Sequence, residues 1–363
     1  MFKKILCTAA ALTMLAAAGC EDAPEVKVED TASGTSSEVT DETVGEATEL
    51  QTQEQIAALV NPLTGESGYN AAAAGKRPVA VMVNNLKDAL PQYGIEQADI
   101  VYELPVEGGI TRLMAVYADY TAVPDVCSVR SCRYYYPLLC LGMDAIYVHW
   151  GSDKTIALDT LNRTGIDHLD GEYDSGLFYR DQERAGSYAT EHIGYIKGDE
   201  LAGKIAEKGF RTDTAAEYAG NYFNFAPEGE KVTPADMTAA TVTVNFSGEY
   251  FSTFNFDAAS GTYLKQHSGN PHIDGRTGAQ LNFENVFVLQ TSIGSYDGYL
   301  LDIALTGGTG YYFTNGGAQP ITWSKATENS PIEIFGADGT EITANVGESY
   351  IGILGSDCAI SFS

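Results

Sequence analysis

The chain has 363 residues, of which 44% are hydrophobic, so it is long enough for a large core and is predicted to form two domains. It carries 49 acidic and 21 basic residues, which gives a formal net charge of −28 at pH 7. This balance excludes nucleic acid as a predicted partner, because binding to phosphate backbones depends on an excess of Lys and Arg.

The first 20 residues have the pattern of an export signal. The positively charged start MFKK precedes the run ILCTAAALTMLAAA, which is too short for a usual membrane span. The run ends in AAGC, which resembles a bacterial lipobox, with Ala17 where Leu is commonest. This resemblance implies cleavage before Cys20 and attachment of a lipid to Cys20. An ordinary signal peptide or an N-terminal membrane helix is the alternative.

Residues 21–60 are predicted to be a disordered acidic linker. They contain eleven acidic residues and one basic residue, and they lack aromatic side chains. Such a segment cannot bury enough apolar surface to offset the loss of chain entropy. The linker would connect the lipid to the folded part of the chain.

Residues 61–232 are predicted to form an α/β or α+β domain with a mixed sheet. Continuous or alternating apolar runs predict strands at residues 77–85, 98–106, 110–119 and 145–150. Helical spacing or a terminal glycine predicts helices at residues 86–97, 131–142, 153–163 and 198–210. In the last of these, Asp199 is predicted to cap the start and Gly209 to end the helix.

Residues 233–363 are predicted to form an all-β domain, either a sandwich or barrel-like. Short alternating segments are separated by turns rich in Gly, Asn and Asp. The sequence LTGGTGYY at residues 305–312 is interpreted as a hairpin turn, and ADGT at 337–340 as a second one. No metal site or cofactor is predicted, because the zincin, nucleophile-elbow and P-loop patterns are missing.

The stretch ELPVEGGITR at residues 103–112 places three charges within a predicted hairpin. With a two-residue turn at Gly108–Gly109, Glu107 would lie opposite Ile110. Side chains alternate along a strand, so Glu103, Glu107 and Arg112 are expected to share the partly covered face. Partly buried charges need partners.

Five further polar residues are candidates for the same cluster. Arg130 and Arg133 are spaced to form a fork for a carboxylate, sulfate or phosphate, and His149 ends a predicted strand. Asp181 and Arg184 follow in YRDQER. Two interpretations stay open: the charged residues pair with one another and staple the domain, or they line a pocket for an anion.

The cysteines that follow the signal leave two alternatives open. Their spacing does not match a zinc site. The four residues are Cys127, Cys132, Cys140 and Cys358. Either they are buried free thiols, or a disulfide forms among the first three, with or without Cys358.

Several motifs resemble the YerB-like family of bacterial lipoproteins, among them NPLTG, RPVAVMVNN, VEGGITR, VRSCRYYY and FYRDQER in the first domain and LTGGTGYYFTNGG in the second. The resemblance covers nearly all of the chain after residue 61. It implies a lipid-anchored cell-surface protein with two domains, and it supplies no catalytic residue because the family has no established activity. Cys127 and Cys132 stand where the family usually has Gly and Ala.

Three functions are compatible with these features. The first is an extracytoplasmic lipoprotein, anchored to the bacterial cell membrane, that binds a cell-envelope component or a membrane protein through the Arg/Glu cluster. The second is a hydrolase or lyase that acts on wall or sugar polymers through Glu103, Glu107 and His149. The third is a purely structural scaffold.

Overall fold

The fold is that of a computed structural model, which describes residues 59–363. The predicted signal peptide, Cys20 and all but the last two residues of the predicted acidic linker lie outside the described residues. Residues 61–232 are called the N-terminal half below, and residues 233–363 the C-terminal half. None of the described helices is long and apolar enough to cross a membrane.

The described part of the chain contains 24 strands and three α-helices. The helices are α1 (Tyr135–Leu141), α2 (Ile156–Thr164) and α3 (Gly198–Lys208). The strands of the N-terminal half are β1 (Val79–Asn84), β2 (Ile100–Val106), β3 (Ile110–Tyr117), β4 (Val126–Cys127), β5 (Ile146–His149), β6 (His168–Asp170), β7 (Phe178–Arg180), β8 (Gly194–Ile196) and β9 (Asn224–Phe225). Those of the C-terminal half are β10 (Met237–Thr238), β11 (Thr241–Asn245), β12 (Phe251–Asp257), β13 (Thr262–His267), β14 (Asn270–Pro271), β15 (Asn282–Phe283), β16 (Asn285–Thr291), β17 (Ile293–Ser295), β18 (Leu301–Ile303), β19 (Gly307–Thr314), β20 (Gly317–Ser324), β21 (Glu333–Gly336), β22 (Thr343–Ala344), β23 (Ser349–Gly355) and β24 (Ile360–Phe362).

The predicted strands of the N-terminal half are confirmed as β1, β2, β3 and β5, and three of the four predicted helices as α1, α2 and α3. Helix α3 ends at Gly209, which has a φ of 68° and accepts this left-handed geometry because it lacks a Cβ. Its N-cap is Lys197, so the predicted capping role of Asp199 is wrong; Asp199 lies in the first turn. The helix predicted at 86–97 is also wrong, because only Lys87–Ala89 form a 3₁₀ turn before Pro91.

The main sheet has eleven strands within the described residues and draws on both halves of the chain. Its order is β10-β20-β19-β16-β23-β2-β3-β1-β5-β6, and β21 pairs with β20. The junction is the parallel pair of β2 with β23, in which Ile100 lies opposite Ser349. The N-terminal half is thus a mixed α/β structure and the C-terminal half is all-β, as predicted, and they share one sheet. The predicted boundary after residue 232 stays a prediction.

The main sheet is covered on both faces. On one face, Tyr135 and Leu139 of α1 pack with Tyr102 and Met114 of the sheet in one buried core. On the other face lies a second sheet of six strands, in the order β14-β13-β12-β11-β24 with β15 on β13. Side chains of this second sheet pack with those of the main sheet in a separate core, which also contains Leu201 of α3. The C-terminal half is therefore a sandwich.

The glycine-rich segment at 305–312 is mostly strand, so its interpretation as a hairpin turn is wrong. Residues Gly307–Thr314 form β19, which pairs with β16 and β20. A Cβ on Gly308 would lie 1.9 Å from the carbonyl oxygen of Gln290, and one on Gly310 would lie 2.0 Å from that of Val288. The glycines are therefore required by the close approach of β16 and not by a turn. The predicted turn at 337–340 is confirmed.

All four cysteines of the described residues are free thiols. Cys127, Cys132 and Cys140 are buried, and Cys358 is partly exposed. The Sγ atom of Cys140 lies 3.5 Å from the Sδ atom of Met114 inside the core. Burial raises the pKa of Cys127 to about 11 and that of Cys132 to about 12, so these thiols stay protonated near neutral pH.

Candidate functional site

The hairpin between β2 and β3 differs from the predicted one by one residue. Its turn contains three residues, Glu107–Gly109, and Leu104 lies opposite Arg112. The additional turn residue shifts the register, and a shift of one residue reverses the face on which a side chain lies. Glu103 and Arg112 are therefore on opposite faces of the main sheet, and the expectation that three charges share one face is wrong.

Glu103 lies at the centre of a buried polar network between the two halves. Its Oε1 atom accepts hydrogen bonds from Asn85 and Thr111 of the N-terminal half, at 3.0 and 2.8 Å. Its Oε2 atom accepts hydrogen bonds from Ser252 and Tyr350 of the C-terminal half, at 2.7 and 2.9 Å. Each carboxylate oxygen is thus held by donors from a different half, and we call this arrangement the inter-half network.

Lys265 supplies the positive charge of the inter-half network. Its Nζ atom lies 3.3 Å from Oε2 of Glu103 and donates to Ser252 and His272, at 2.9 and 3.2 Å. Its side chain is fully buried, and that of Glu103 is 1% exposed. Because an ammonium group only donates, Nδ1 of His272 accepts, and Nε2 donates to Oε1 of Gln92 at 2.8 Å.

Charge and burial oppose each other in this network. Burial alone would raise the pKa of Glu103, but the charge of Lys265 and the hydrogen bonds keep it below its ordinary value. Burial lowers the pKa of Lys265, and the charge of Glu103 opposes this shift. Each of the two groups stabilises the charged form of the other, because an isolated charge buried between the two halves would be strongly unfavourable.

Arg112, Arg130 and Arg133 form a second group, the arginine cluster, on the opposite face of the sheet from Glu103. Arg133 donates from Nε to Oε2 of Glu107 at 2.7 Å. Arg112 donates to the carbonyl oxygen of Ser131, and Arg130 donates to a carbonyl oxygen at 3.1 Å. Neither Arg112 nor Arg130 forms an ion pair with any carboxylate of residues 59–363. The cluster thus has three guanidinium groups and one paired carboxylate.

Repulsion is evident in the electrostatics of the arginine cluster. Burial, together with the charges of Arg133 and Arg130, lowers the pKa of Arg112 to about 10. Burial also lowers the pKa of Arg130, although the charge of Glu191 opposes this shift, and the Nε atom of Arg130 is buried without a hydrogen-bond partner in the described part of the chain. The pKa of Arg133 is raised, because the attraction of Glu107 outweighs the effect of burial.

His149 is fully buried and belongs to neither group. Its Nδ1 atom lies 2.8 Å from the carbonyl oxygen of Gly151, so Nδ1 donates and Nε2 accepts from Nδ1 of His168 at 2.9 Å. Burial lowers the pKa of His149 to about 4, although the charge of Asp170 opposes this shift. The imidazole is neutral and both of its nitrogens are hydrogen-bonded. It therefore orders the end of β5 and has no free nitrogen for proton transfer.

Asp181 and Arg184 hold a loop in place. Asp181 accepts from the hydroxyl of Tyr93 at 3.0 Å and from the backbone nitrogen of Glu183 at 2.9 Å. Arg184 donates to the carbonyl oxygens of Pro91 and Ala89, at 2.6 and 2.8 Å. Both side chains are buried.

The structure therefore divides the predicted cluster. It brings Glu107, Arg112, Arg130 and Arg133 together, and it separates Glu103, His149 and the pair Asp181 and Arg184 from them. No group of His, Cys, Asp and Glu in residues 59–363 is arranged to hold a metal ion. Lys265 was missed by the sequence interpretation, although alternation within YLKQHS places it on the same face as the apolar Tyr263. A lysine on an apolar face is the signal that could have identified it.

Comparisons with known proteins agree with the family that the sequence motifs resemble. The family described as "Protein of unknown function (DUF3048) N-terminal domain" matches residues 63–211, and its C-terminal domain matches residues 242–351. The Bacillus subtilis (strain 168) protein named "Putative lipoprotein YerB" is 30% identical over 294 residues, which are 79% of this chain and 84% of that protein. The crystal structure of the YerB protein from Bacillus subtilis matches with a TM-score of 0.72 and 27% identity, over 84% of this chain and 99% of that one. The chain belongs to the YerB-like family, whose two domains of unknown function it contains in order.

Proposed function

We propose that this chain is a lipoprotein, anchored through Cys20 to the outer face of the bacterial cell membrane, that binds an anionic component of the cell envelope at the arginine cluster. The name of the similar Bacillus subtilis protein and the export signal with AAGC support the anchor. The guanidinium groups that lack a carboxylate partner support the proposal that the ligand is anionic. The proposed ligands include membrane proteins that present a carboxylate or phosphate group to the arginine cluster.

The observation that carries the proposal is the state of Arg112. This side chain is 6% exposed and lacks a carboxylate partner among the described residues, although a buried charge without a partner is unfavourable. The neighbouring Arg130 and Arg133 increase this cost, because all three are positive. An anion bound between the guanidinium groups would remove the repulsion and could be held through two parallel N–H bonds.

The charge of the whole chain makes such a site selective. With a net charge of −28, the surface repels polyanions in general, and the arginine cluster is a local exception. Glu107 reduces the positive charge that the cluster offers to a ligand, because it neutralises Arg133 and leaves Arg112 and Arg130 for the ligand. The proposed ligand therefore presents an isolated carboxylate or phosphate group and not a continuous array of them.

The alternative of a hydrolase or lyase draws no support from the residues named for it. Glu103 is buried and accepts four hydrogen bonds, and both nitrogens of His149 are bonded. The alternative of a scaffold is favoured by one observation, the inter-half network, which gives Glu103 a structural role. A stapling role for Glu103 is compatible with a binding role for the arginine cluster, since they lie on opposite faces.

Replacing Cys20 with Ser is expected to release the chain from the membrane. A lipid on Cys20 would be the main attachment, because each buried CH₂ of an acyl chain contributes about 0.8 kcal/mol to membrane binding. Fractionation of cells that express the chain would show the unchanged protein in the membrane fraction and the C20S variant outside it. Incorporation of labelled fatty acid into the unchanged protein alone is the matching control. A variant that stays in the membrane with undiminished label would contradict the anchor.

Replacing Arg112 with Met is expected to weaken binding of the full chain to isolated bacterial cell walls by about tenfold or more, because hydrogen bonds to charged groups contribute about 1.5–3 kcal/mol. Inorganic phosphate should compete with the walls. The matched control is R163A, since Arg163 is about half exposed and paired with Glu328 away from the cluster. Binding is measured by sedimentation with the walls.

Thermal unfolding of the same variants separates a site from a staple. R112M removes an unpaired buried charge, so its melting temperature should be equal to or above that of the unchanged chain. Weaker binding with undiminished stability is the result expected of a binding residue. A marked fall in melting temperature, with wall binding unchanged, would overturn the proposed site and favour the staple.

A further inference from the structure

The 3₁₀ turn Thr190–His192, called the histidine turn below, lies beside the arginine cluster. Two guanidinium groups hold this turn by its carbonyl oxygens. Arg130 donates to the carbonyl oxygen of Glu191 at 3.1 Å, and Arg180 donates to that of Thr190 at 2.5 Å. Because Arg130 is a member of the arginine cluster, the histidine of this turn lies next to the proposed anion site.

Asn84, the last residue of β1, holds the ring of His192 from the side of the main sheet. It lies opposite Arg112 in the antiparallel pair of β1 with β3. Residues directly opposite each other in such a pair have their side chains on the same face, so Asn84 is on the face of the arginine cluster. Its Nδ2 atom lies 2.9 Å from Nδ1 of His192. The ring is therefore held on that face.

The contact with Asn84 also decides which nitrogen of His192 carries the proton. Oδ1 of Asn84 accepts from the backbone nitrogen of Leu86 at 3.0 Å, so the amide presents Nδ2 to the ring. An amide nitrogen only donates, so Nδ1 accepts and the neutral ring carries its hydrogen on Nε2. Although His192 is only 6% exposed, Nε2 reaches solvent and has no hydrogen-bond partner in residues 59–363. His192 therefore has one free donor.

The charges around His192 keep its imidazole neutral near pH 7. Burial and the charge of Arg130 lower the pKa of His192, and Arg184 acts in the same direction. The carboxylates of Glu191 and Asp88 oppose this shift without cancelling it. Protonation of Nδ1 would also direct two donors at each other across the amide contact. The positive charge that a ligand meets is therefore that of the arginines, and the imidazole adds a neutral donor.

The free donors of this region come from three segments of the chain. Nη2 of Arg112 and Nη2 of Arg130 have no hydrogen-bond partner in the described part of the chain, and both reach solvent. Together with Nε2 of His192, they belong to β3, to the segment after β4 and to the histidine turn. A carboxylate has two oxygens in one plane and suits a single guanidinium fork, whereas a phosphate directs its oxygens several ways. Donors on three segments therefore favour a phosphate.

We propose that the anion at the arginine cluster is a phosphate group, and that His192 binds one of its oxygens through Nε2–H while Arg112 and Arg130 bind others. This inference rests on the proposed function, which it narrows from anions in general to phosphate. A neutral donor suits this place, because it adds a hydrogen bond without adding to the repulsion among the guanidinium groups. Asn84 is a positioning residue, since it acts only through the ring.

Equilibrium dialysis of the full chain, purified in detergent, against labelled inorganic phosphate tests this inference. Two substitutions at one position separate binding from structure. H192N keeps an amide near the place of Nδ1 and loses the donor at Nε2, so the phosphate affinity should fall by about tenfold or more. H192Q keeps a donor near the place of Nε2 and loses the contact with Asn84, so it should retain most of the affinity. A purely structural role of the histidine would give the opposite order.

Nuclear magnetic resonance of the unchanged chain, labelled at its five histidines, gives a second measurement. We expect the Nε2–H signal of His192 to move with saturation on addition of phosphate, while Nδ1 stays unprotonated. Acetate at the same millimolar concentration is the carboxylate comparison and should move this signal much less. The signals of His149 and His168 should stay in place, and in both variants they verify the fold.

Three results would overturn the proposal. If H192N binds phosphate as tightly as the unchanged chain, His192 is not a ligand. If acetate moves the His192 signal as much as phosphate does, the ligand class is wrong. If R112M binds phosphate as tightly as the unchanged chain, the arginine cluster is not the anion site, and the proposed function fails as well. A loss of binding in R112M without one in H192N leaves the proposed function intact and removes only the role of His192.

Discussion

Replacing Lys265 with Met is expected to destabilise the chain by about 3–5 kcal/mol, because the change leaves the carboxylate of Glu103 buried without its charge partner. Ser252 also loses the donor that orients its hydroxyl. Denaturant unfolding followed by circular dichroism measures the effect as a lower midpoint. Since the Glu103 carboxylate bonds to both halves, we expect the two halves of the K265M variant to unfold in one transition.

Two companion variants identify the cause of this loss. The double variant E103Q/K265M removes both charges, so it should be more stable than K265M alone, because no unpaired charge remains. K154M removes a lysine from the exposed pair of Lys154 with Glu172 and should leave the midpoint nearly unchanged. A K265M variant as stable as the unchanged chain would show that Glu103 becomes protonated in the fold at little cost, contrary to the inter-half network described above.

Replacing Gly310 with Ala is expected to have a comparable effect, through packing and not through charge. The new Cβ would lie 2.0 Å from the carbonyl oxygen of Val288, which belongs to β16 in the interior of the main sheet. Backbone atoms at that place cannot move without displacing their neighbours, so we expect a loss of about 3 kcal/mol, the upper end of the usual cost of overpacking. The measurement is again the denaturant midpoint.

A second glycine gives the matched control for G310A. Gly203 lies within α3, and a Cβ there would have no atom within 4 Å. Since Ala favours a helix over Gly by about 1 kcal/mol, G203A should raise the midpoint slightly. A G310A variant with an unchanged midpoint would show that β19 can move away from β16, and the strict spacing of these strands would then be wrong.

Local features of the fold were predictable from the sequence because their causes are local. The buried run of β1 and the amphipathic spacing of α3, with Gly209 at its end, follow from neighbouring residues alone. The helix predicted at residues 86–97 is wrong for a local reason as well, because Pro91 lacks a backbone N–H and holds Leu90 in extended backbone. The family was also recognisable, since its motifs are contiguous.

Features that depend on distant residues were not predictable in the same way. The sequence did not indicate that β23 pairs with β2, or that the partner of Glu103 would be Lys265 on a strand of the second sheet. The three-residue turn at Glu107–Gly109 decided which face Arg112 occupies, and the Gly-Gly pair was equally compatible with a two-residue turn. The sequence thus predicted the three arginines of the arginine cluster as members of one larger group, from which the structure separates Glu103, His149 and the pair Asp181 and Arg184.

The position of β23 in the main sheet has a consequence for the order of events during synthesis. Residues Ser349–Gly355 occupy the centre of the sheet, between β16 and β2, yet they follow all the other strands of the main sheet in the chain, so the ribosome adds them after those strands. The earlier strands cannot complete the sheet while this central place is empty, because pairing between distant segments waits for both of them. The nascent chain therefore cannot complete its main sheet before Ser349–Gly355 have left the ribosome, however early the other strands have formed.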